Sequence, residues 1–291
     1  MRLKILGTSA GGGLPQWNCG CLNCQRARAG QLPRRSQSSL AFTPDDRHWY
    51  LVDAGPEVTQ QLQHLPHPLG GSRQVPLEGI LLTDAELDHT LGLLQLREGS
   101  SWRLYATASV LKIIGDRFPL LGVLQGYARP SVGAVEPSRP LRFGGLTVRF
   151  VPLSDHTPRY HHGRRPEPEA VSALVFSGRR TVVYAPCVEA LTPELEALFR
   201  GADAVLVDGT FFHNDELARL GFSADTARSM GHVPVGGDDG SARWLARLPI
   251  PTIRYIHLNN TNPLLDPDSP ERAWIKTLGL DLADDGWELE L

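Results

Sequence analysis

The chain has 291 residues, of which 41% are hydrophobic and 21% are charged, and its formal net charge is −3. This composition is typical of a globular protein with a full core, and the lack of a basic surplus argues against nucleic acid or an anionic membrane as a partner. The N-terminus has neither the charged start nor the apolar run of a signal peptide, and no window approaches the roughly 20 apolar residues of a membrane helix, so a cytoplasmic protein is expected.

Short apolar runs, each bounded by Gly, Pro, Asp or Asn, predict a series of strands along the chain. These runs cover residues 3–6, 39–42, 49–52, 80–82, 148–151, 173–176, 181–184, 204–207 and 253–258. Two helices are marked by their ends, one from Thr192 and Pro193 to Gly201 and one from Ser269 and Pro270 to about Leu278. Strands that dominate early and alternate with helices later predict a layered α/β sandwich, read as a single domain over 1–291.

Three of the four cysteines lie close together at Cys19, Cys21 and Cys24, and the fourth is Cys187. Three thiolates in one turn repel each other without a cation, and Zn²⁺ held tetrahedrally at about 2.3 Å per sulfur is the usual solution. The spacing favours a shared metal over disulfides, and the alternative is three buried free cysteines. For the fourth ligand, His232 after a glycine is the first candidate and Cys187 the second. Four protein ligands leave no open position, so we predict a structural zinc.

A second cluster begins where the apolar run at 80–82 ends, in Asp84-Ala-Glu86-Leu-Asp88-His89. The three carboxylates alternate, and in an extended turn they would project to one side with His89 adjacent. Carboxylates packed this closely either bind a metal or have raised pKa values. The alternative is a solvated acidic turn that begins a helix.

Two later apolar runs also end in polar residues, one in Asp208 and the other in His257. Ligands of α/β sheets gather at the carboxyl ends of strands, so we expect Asp88, His89, Asp208 and His257 to converge on a working site.

These residues together carry a family resemblance. The order of Asp53-Ala-Gly55, the acidic cluster, Asp208 and His257 resembles the metallo-β-lactamase superfamily, whose loop usually reads His-x-His-x-Asp-His and binds two metals. With both leading histidines replaced, by Asp84 and Glu86, the pattern is similar to the PqqB family of pyrroloquinoline quinone (PQQ) biosynthesis. The matching strings are Gly11 to Cys19, Ser36 to Ser39, Leu82 to His89, Leu96 to Gly99, Tyr184 to Pro186, Val207 to Phe211, Met230 to His232, His257 to Pro263 and Ser269 to Arg272.

The resemblance implies a four-layer αββα sandwich and a structural zinc on Cys19, Cys21, Cys24 and His232. It also implies an iron-dependent hydroxylation of the tyrosine ring in a cross-linked Glu–Tyr precursor of the quinone. A non-catalytic carrier that helps to transport the finished quinone is the alternative within the family.

The residues fit this chemistry independently. Asp88, His89 and His257 provide the two histidines and one carboxylate of non-haem Fe(II) oxygenases, a set that leaves positions open for O₂ and substrate. Replacing the leading histidines weakens a second zinc site and simple hydrolysis, and it leaves Asp84 or Glu86 as a general base for a phenolic proton. Zn²⁺ or Mn²⁺ are the alternative working metals.

Some residues depart from the family pattern. His156, in Asp-His-Thr-Pro, resembles the third metal-binding histidine of superfamily hydrolases, and Cys187 replaces a usual glycine close to the bridging Asp of those enzymes. A two-metal hydrolase of the phosphodiesterase or lactonase kind, with His156 and Asp208 as extra ligands, is therefore the competing hypothesis.

The segment 157–168 is rich in Arg, His and Pro and is predicted to be a long loop. We expect the overlapping stretch from Asp155 to Arg165 to cover the working site and bind a small, amino-acid-derived anionic substrate. The candidate contacts are Arg159, Tyr160, Arg164 and Arg165. The alternative is a solvated loop. The sequence is compatible with a homodimer.

Overall fold

The computed structural model describes residues 1–67, 71, 73, 75–98, 102–116, 118–137, 139–161 and 167–291. In chain order its strands are β1 Arg2–Gly7, β2 Ser39–Thr43, β3 Trp49–Val52, β4 Leu77–Leu81, β5 Arg103–Thr107, β6 Ser131–Val135, β7 Leu141–Phe143, β8 Leu146–Ser154, β9 Val171–Ser177, β10 Thr181–Ala185, β11 Ala204–Asp208, β12 Thr252–Ile256, β13 Asp281–Leu282 and β14 Glu288–Glu290. The α-helices are α1 Leu22–Arg28, α2 Val58–Gln61, α3 Leu87–Thr90, α4 Ala108–Asp116, α5 Leu120–Gln125, α6 Pro193–Arg200, α7 Glu216–Arg219, α8 Ser241–Leu245 and α9 Pro270–Thr277.

Short 3-10 helices cover Leu62–His64, Leu91–Glu98, Arg159–His161, Arg228–Met230 and Pro263–Leu265. Among the described helices, none has the length and apolar character needed to span a bilayer.

The chain divides into two compact units. Unit 1 comprises Met1–Gly7, Gln37–Arg179 and Gly286–Leu291, and unit 2 comprises Thr8–Ser36 and Arg180–Asp285. The single domain expected from the sequence stays a prediction.

Unit 1 is built on a sheet with the strand order β14-β1-β2-β3-β4-β5-β6. Pairing is antiparallel from β14 to β3 and parallel from β3 to β6. The strands β7, β8 and β9 pair antiparallel, and Phe42 of β2 packs against Phe143 and Phe176 of that group at centroid distances of 5.3 and 5.2 Å. Because β3 and β4 run parallel, they end at the same edge of the sheet, and Asp53 and Asp84 follow their last residues.

Unit 2 contains the parallel strands β10, β11, β12 and β13. Their register aligns Ala185 with Val207 and Asp208 with Ile256, so the carboxyl ends of β10, β11 and β12 lie side by side. Cys187, Asp208 and His257 all stand at these ends. Unit 2 thus gathers three chemically active residues at one edge.

The predicted helices are confirmed with their caps. Thr192 accepts a hydrogen bond from the Leu195 amide at 3.2 Å, and Ser269 accepts one from the Arg272 amide at 3.0 Å. These bonds satisfy amide groups that the first helical turn leaves without a partner. The predicted strands are confirmed as well, with shifts of a few residues at their ends.

Candidate metal centres

Cys19, Cys21 and Cys24 are brought together at the start of α1 in unit 2. All three sulfur atoms lie within 4.8 Å of one another, and no disulfide joins any two of the four cysteines. Burial raises the pKa of Cys24 to about 12, with smaller contributions from its cysteine neighbours. For Cys19, hydrogen bonds from Cys21, Cys24 and Asn260 outweigh burial and lower the pKa. A cluster in which every sulfur is ionised therefore requires a cation.

Asn260 caps this cluster, which the sequence did not reveal. Its side-chain Nδ2 lies 3.1 Å from the sulfur of Cys19 and 3.4 Å from the sulfurs of Cys21 and Cys24. An amide group turned by half a rotation presents Oδ1 in the place of Nδ2. Asn260 therefore occupies the position from which a fourth ligand completes a tetrahedron around a zinc ion.

The structure corrects the assignment of His232 to the cysteine cluster. The backbone turns at Gly231, whose φ is +82°, and directs the ring toward Asp208, where its Nδ1 lies 2.7 Å from Oδ2. The buried carboxylate of Asp208 needs a hydrogen-bonding partner, and this requirement explains why His232 lies beside it. Cys187, the second candidate, is also misassigned, because its sulfur lies within 4.8 Å of the ligand nitrogen of His257.

Hydrogen bonds hold the loop that carries Asn260. Asn23 donates to the backbone carbonyls of Asn260 and Asn262 at 3.0 and 2.9 Å, and Thr261 donates to the carboxyl of Glu216. Glu216 also accepts the amide of Phe212 at 2.8 Å. Its side chain is almost fully buried, and burial raises its pKa to about 7 from the ordinary 4.5.

We expect Glu216 to make stability depend on pH. In the unfolded chain this carboxyl ionises near pH 4.5, whereas the folded protein keeps its proton until about pH 7, so the free energy of unfolding falls as the pH rises through that window. A shift of this size corresponds to up to about 3 kcal/mol above pH 7. The Glu216→Gln variant, which mimics the protonated form, should lose less stability than wild type between about pH 5 and 8.

Denaturant unfolding of the metal-loaded protein at about pH 5 and pH 8 measures how far the free energy of unfolding falls in wild type and in the variant. The exposed Glu189→Gln variant in the same unit is the matched control. Equal losses for wild type and Glu216→Gln would show that this carboxyl does not titrate with folding.

In unit 1 the acidic cluster is arranged around His89, which is fully buried. Its Nδ1 lies 2.8 Å from Oδ2 of Asp84, and its Nε2 lies 3.9 Å from Oδ2 of Asp88. Two metal–ligand bonds of about 2.1 Å span up to about 4.2 Å, so one ion can bind Nε2 and the Asp88 carboxylate together. Burial lowers the pKa of His89, but the charges of Asp84, Asp53 and Asp88 outweigh it and raise the pKa well above its ordinary value. The three carboxylates around His89 therefore stabilise a positive charge at this position.

Asp84 and Glu86 do not lie in the expected extended turn with Asp88. Instead α3 begins at Leu87, and Asp84 points inward, where one carboxylate oxygen accepts the Glu86 amide at 2.9 Å and the other accepts from Thr83 and His89. The backbone stays extended as far as Glu86, and the helix begins at the next residue. Asp84 therefore orients the metal-ligand candidate His89, as carboxylates behind ligating histidines do. Glu86 and Asp88 remain half-buried.

Asp53 braces the same cluster from β3. Its carboxylate accepts the amide and the hydroxyl of Thr83 at 2.9 Å, and its backbone is left-handed with φ +57°. Burial raises its pKa to about 7. A glycine is required at position 55, because a Cβ there would lie 2.4 Å from the Asp88 carbonyl oxygen. The motif Asp53-Ala-Gly55 thus supports the loop from behind.

In unit 2 Asp208 orients two histidines. One carboxylate oxygen accepts the amide and hydroxyl of Thr210, and the other accepts the Val188 amide at 2.8 Å and the His232 ring. Thr210 in turn accepts from Nδ1 of His257 at 2.8 Å. Asp208, His232 and His257 also have ligand atoms within 4.8 Å of one another. Since both Asp208 oxygens accept two hydrogen bonds each, we assign Asp208 to orientation and Nε2 of His257 to coordination.

The remaining predicted residues lie in or near the 157–168 segment. His156 belongs to none of the clusters of three or more ligand candidates found among the described residues. Tyr160 donates to the Ala85 carbonyl at 2.5 Å, whereas Arg159 is exposed. That this segment covers the working site stays a prediction. Arg164 and Arg165 lie outside the described residues.

Comparison with known proteins shows the family to which the chain belongs. The Beta-lactamase superfamily domain matches residues 48–258. The coenzyme PQQ synthesis protein B of Azoarcus sp. (strain BH72) is 41% identical, and the match covers all of both chains.

Two solved structures extend the comparison. Zn²⁺-bound PqqB from Methylobacterium extorquens has a TM-score of 0.91 at 36% identity over all of both chains. A diphosphatase of the PhnP family has a TM-score of 0.69 at 18% identity, covering 100% of this chain and 98% of that one, and shows the shared fold alone.

Proposed function

Because the chain belongs to the coenzyme PQQ synthesis protein B family and has the metallo-β-lactamase fold, we propose that it acts in PQQ biosynthesis as an Fe(II)-dependent hydroxylase. Its substrate in this proposal is the tyrosine ring of a cross-linked Glu–Tyr precursor. The reaction inserts one oxygen atom of O₂ into a ring C–H bond, and an external two-electron reductant converts the other to water.

The observation that carries this proposal is the state of Asp84. In a two-metal hydrolase of this fold the corresponding position provides a histidine ligand, whereas here its carboxylate is buried and hydrogen-bonded to His89, Thr83 and the Glu86 amide. His156 joins no ligand cluster within the described ranges. The arrangement of these side chains within unit 1 thus favours a single ion over a pair.

The ligand set predicted from the sequence is Asp88, His89 and His257, and support for it comes from within each unit. Asp84 fixes the ring of His89 in unit 1, and Asp208 acts through Thr210 on the ring of His257 in unit 2. Such a two-histidine, one-carboxylate set suits ferrous iron, which when bound would supply the reductive activation of O₂.

A separate zinc has a different role in this proposal. We assign it to Cys19, Cys21 and Cys24, with Asn260 as the fourth ligand, and the relative from Methylobacterium extorquens was crystallised with Zn²⁺ bound. A filled tetrahedral site of this kind stabilises the loop that holds it and has no position for substrate.

The protein's own groups then bind the substrate and move its protons. Asp84 is engaged with His89, so Glu86 is the carboxylate that we assign to the phenolic proton. The precursor carries several carboxylates, for which Arg159 is the described candidate, and Tyr160 anchors its segment to Ala85.

Protein purified without oxygen tests this proposal. We expect one iron and one zinc per chain, O₂ uptake with a cross-linked Glu–Tyr peptide and ascorbate, and transfer of one ¹⁸O atom from ¹⁸O₂ into the tyrosine ring. The same protein loaded with zinc at both sites is the control and should take up no O₂.

Two results would contradict the proposal. Three metals per chain with cleavage of a phosphodiester or lactone would establish the two-metal hydrolase. Zinc alone, tight binding of PQQ and no O₂ uptake would establish the carrier.

A further inference from the structure

We propose that Cys187 is a thiolate ligand of the metal that binds His257. The proposal rests on the proposed function only in placing a working metal on His257. Cys187 and His257 belong to the same unit, and their ligand atoms lie within 4.8 Å of each other. A sulfur bond of about 2.3 Å and a nitrogen bond of about 2.1 Å span about 4.4 Å around one ion, so shifts of a few tenths of an ångström suffice.

The parallel sheet of unit 2 positions the thiol. β10 ends at Ala185 and β12 at Ile256, and β11 lies between them in register. Val188 fixes the chain after the cysteine, because its amide donates to Asp208 at 2.8 Å and its carbonyl accepts the Val233 amide at 2.8 Å. The sulfur is therefore held at the same sheet edge as the imidazole.

The imidazole of His257 is prepared for the same ion. It is almost fully buried, and Nδ1 donates to Thr210, which donates to Asp208. Nδ1 is thus engaged, and Nε2 is the nitrogen suited to coordination. A buried imidazole beside a half-buried thiol makes this a pair of potential ligands and not an isolated cysteine.

A thiolate changes which metal the site prefers. Sulfur is a soft ligand that favours zinc, whereas a set of imidazole and carboxylate accommodates iron. This chain is therefore expected to bind zinc at the working site more tightly than a variant without the thiol, and zinc becomes the competitor that iron loading must overcome. Preparation in zinc-free medium follows as a requirement for full iron content.

Cobalt is the probe for this ligand because a Co²⁺–thiolate bond absorbs in the near ultraviolet. Full-length protein that keeps zinc on its three-cysteine cluster is loaded with one equivalent of Co²⁺. Wild type should show the thiolate charge-transfer band at the working site. Cys187→Ser should lose that band, keep the visible cobalt bands and bind Co²⁺ at least about tenfold more weakly.

Alkylation gives a second measurement that does not depend on activity. Iodoacetamide followed by peptide mapping should label Cys187 quickly in protein stripped at the working site and slowly after Co²⁺ loading. In His257→Ala, Co²⁺ should give little protection. Cys187→Ala checks that the serine hydroxyl does not replace the ligand.

An unchanged charge-transfer band in Cys187→Ser, or labelling of Cys187 at equal rates with and without Co²⁺, would overturn this inference. These outcomes are distinguishable from failure of the hydroxylase proposal. A protein that hydroxylates nothing but shows the thiolate band keeps Cys187 as a ligand, and a hydroxylase without the band loses it.

Discussion

His257→Ala is expected to abolish O₂ uptake with the cross-linked Glu–Tyr substrate while the cysteine-bound zinc stays in place. Changes to groups that merely orient a metal ligand typically cost 10–100-fold in affinity or activity, so removal of a ligand should cost more than about 100-fold. Zinc is retained because Asn260, and not His257, caps the three cysteines.

The measurement combines metal analysis with an oxygen electrode. His257 has a left-handed backbone, with φ +56°, in which alanine is strained, so His257→Asn serves as a second variant that tolerates the conformation. His213→Ala, a partly exposed histidine of the same unit, is the matched control and should retain full uptake. Wild-type turnover in both His257 variants would exclude this residue from the working site.

Cys21→Ala should remove one zinc per chain and lower the melting temperature. Structural zinc contributes roughly 10 kcal/mol or more to folding in small domains, and a large core reduces that dependence. A loss of even about 3 kcal/mol lowers the melting temperature of a chain of this size by roughly 5–10 °C. The effect should spread to the loop of Asn260, whose amide contacts all three sulfurs.

Calorimetry and metal analysis of the same preparation check this. Asn260→Ala should lie between wild type and Cys21→Ala in both measurements, because it removes one ligand and leaves three thiolates. Cys187→Ala, which removes a cysteine outside this cluster, should keep the structural zinc and is the control for the zinc analysis. If Cys21→Ala melts like wild type with unchanged zinc, the three cysteines do not hold a structural metal.

The sequence predicted those helices and strands whose first and last residues are marked by the residue types next to them. Helix α6 was found from Thr192 and Gly201, and the strands that precede Asp208 and His257 from their continuous apolar runs. β5 and β6 were missed because they mix charged or small residues with apolar ones, so no continuous apolar run separates them from a loop. Their pairing is decided by the neighbouring strands.

The candidate sites were predictable only where their residues are close in sequence. Three cysteines within six residues indicate their own cluster, but spacing does not show which cluster a distant histidine joins, and His232 goes to Asp208. Asn260 lay hidden in the run Asn259-Asn-Thr-Asn262, which is equally typical of a polar turn. Asp84, Glu86 and Asp88 were expected to project to one side of an extended turn with His89 adjacent, whereas α3 begins at Leu87 and Asp84 is buried against His89.

Left-handed backbone at Asp53 and His257 has a consequence for directed evolution. For a residue with a Cβ, this conformation lowers the free energy of unfolding by about 1 kcal/mol or more. Both residues are buried at strand ends, where only the function of the side chain explains why a residue other than glycine is present. A library screened only for survival at high temperature should therefore enrich glycine at 257 and asparagine at 53. The thermostable variants selected in this way would be inactive. A screen for a more stable enzyme must therefore measure turnover in every round.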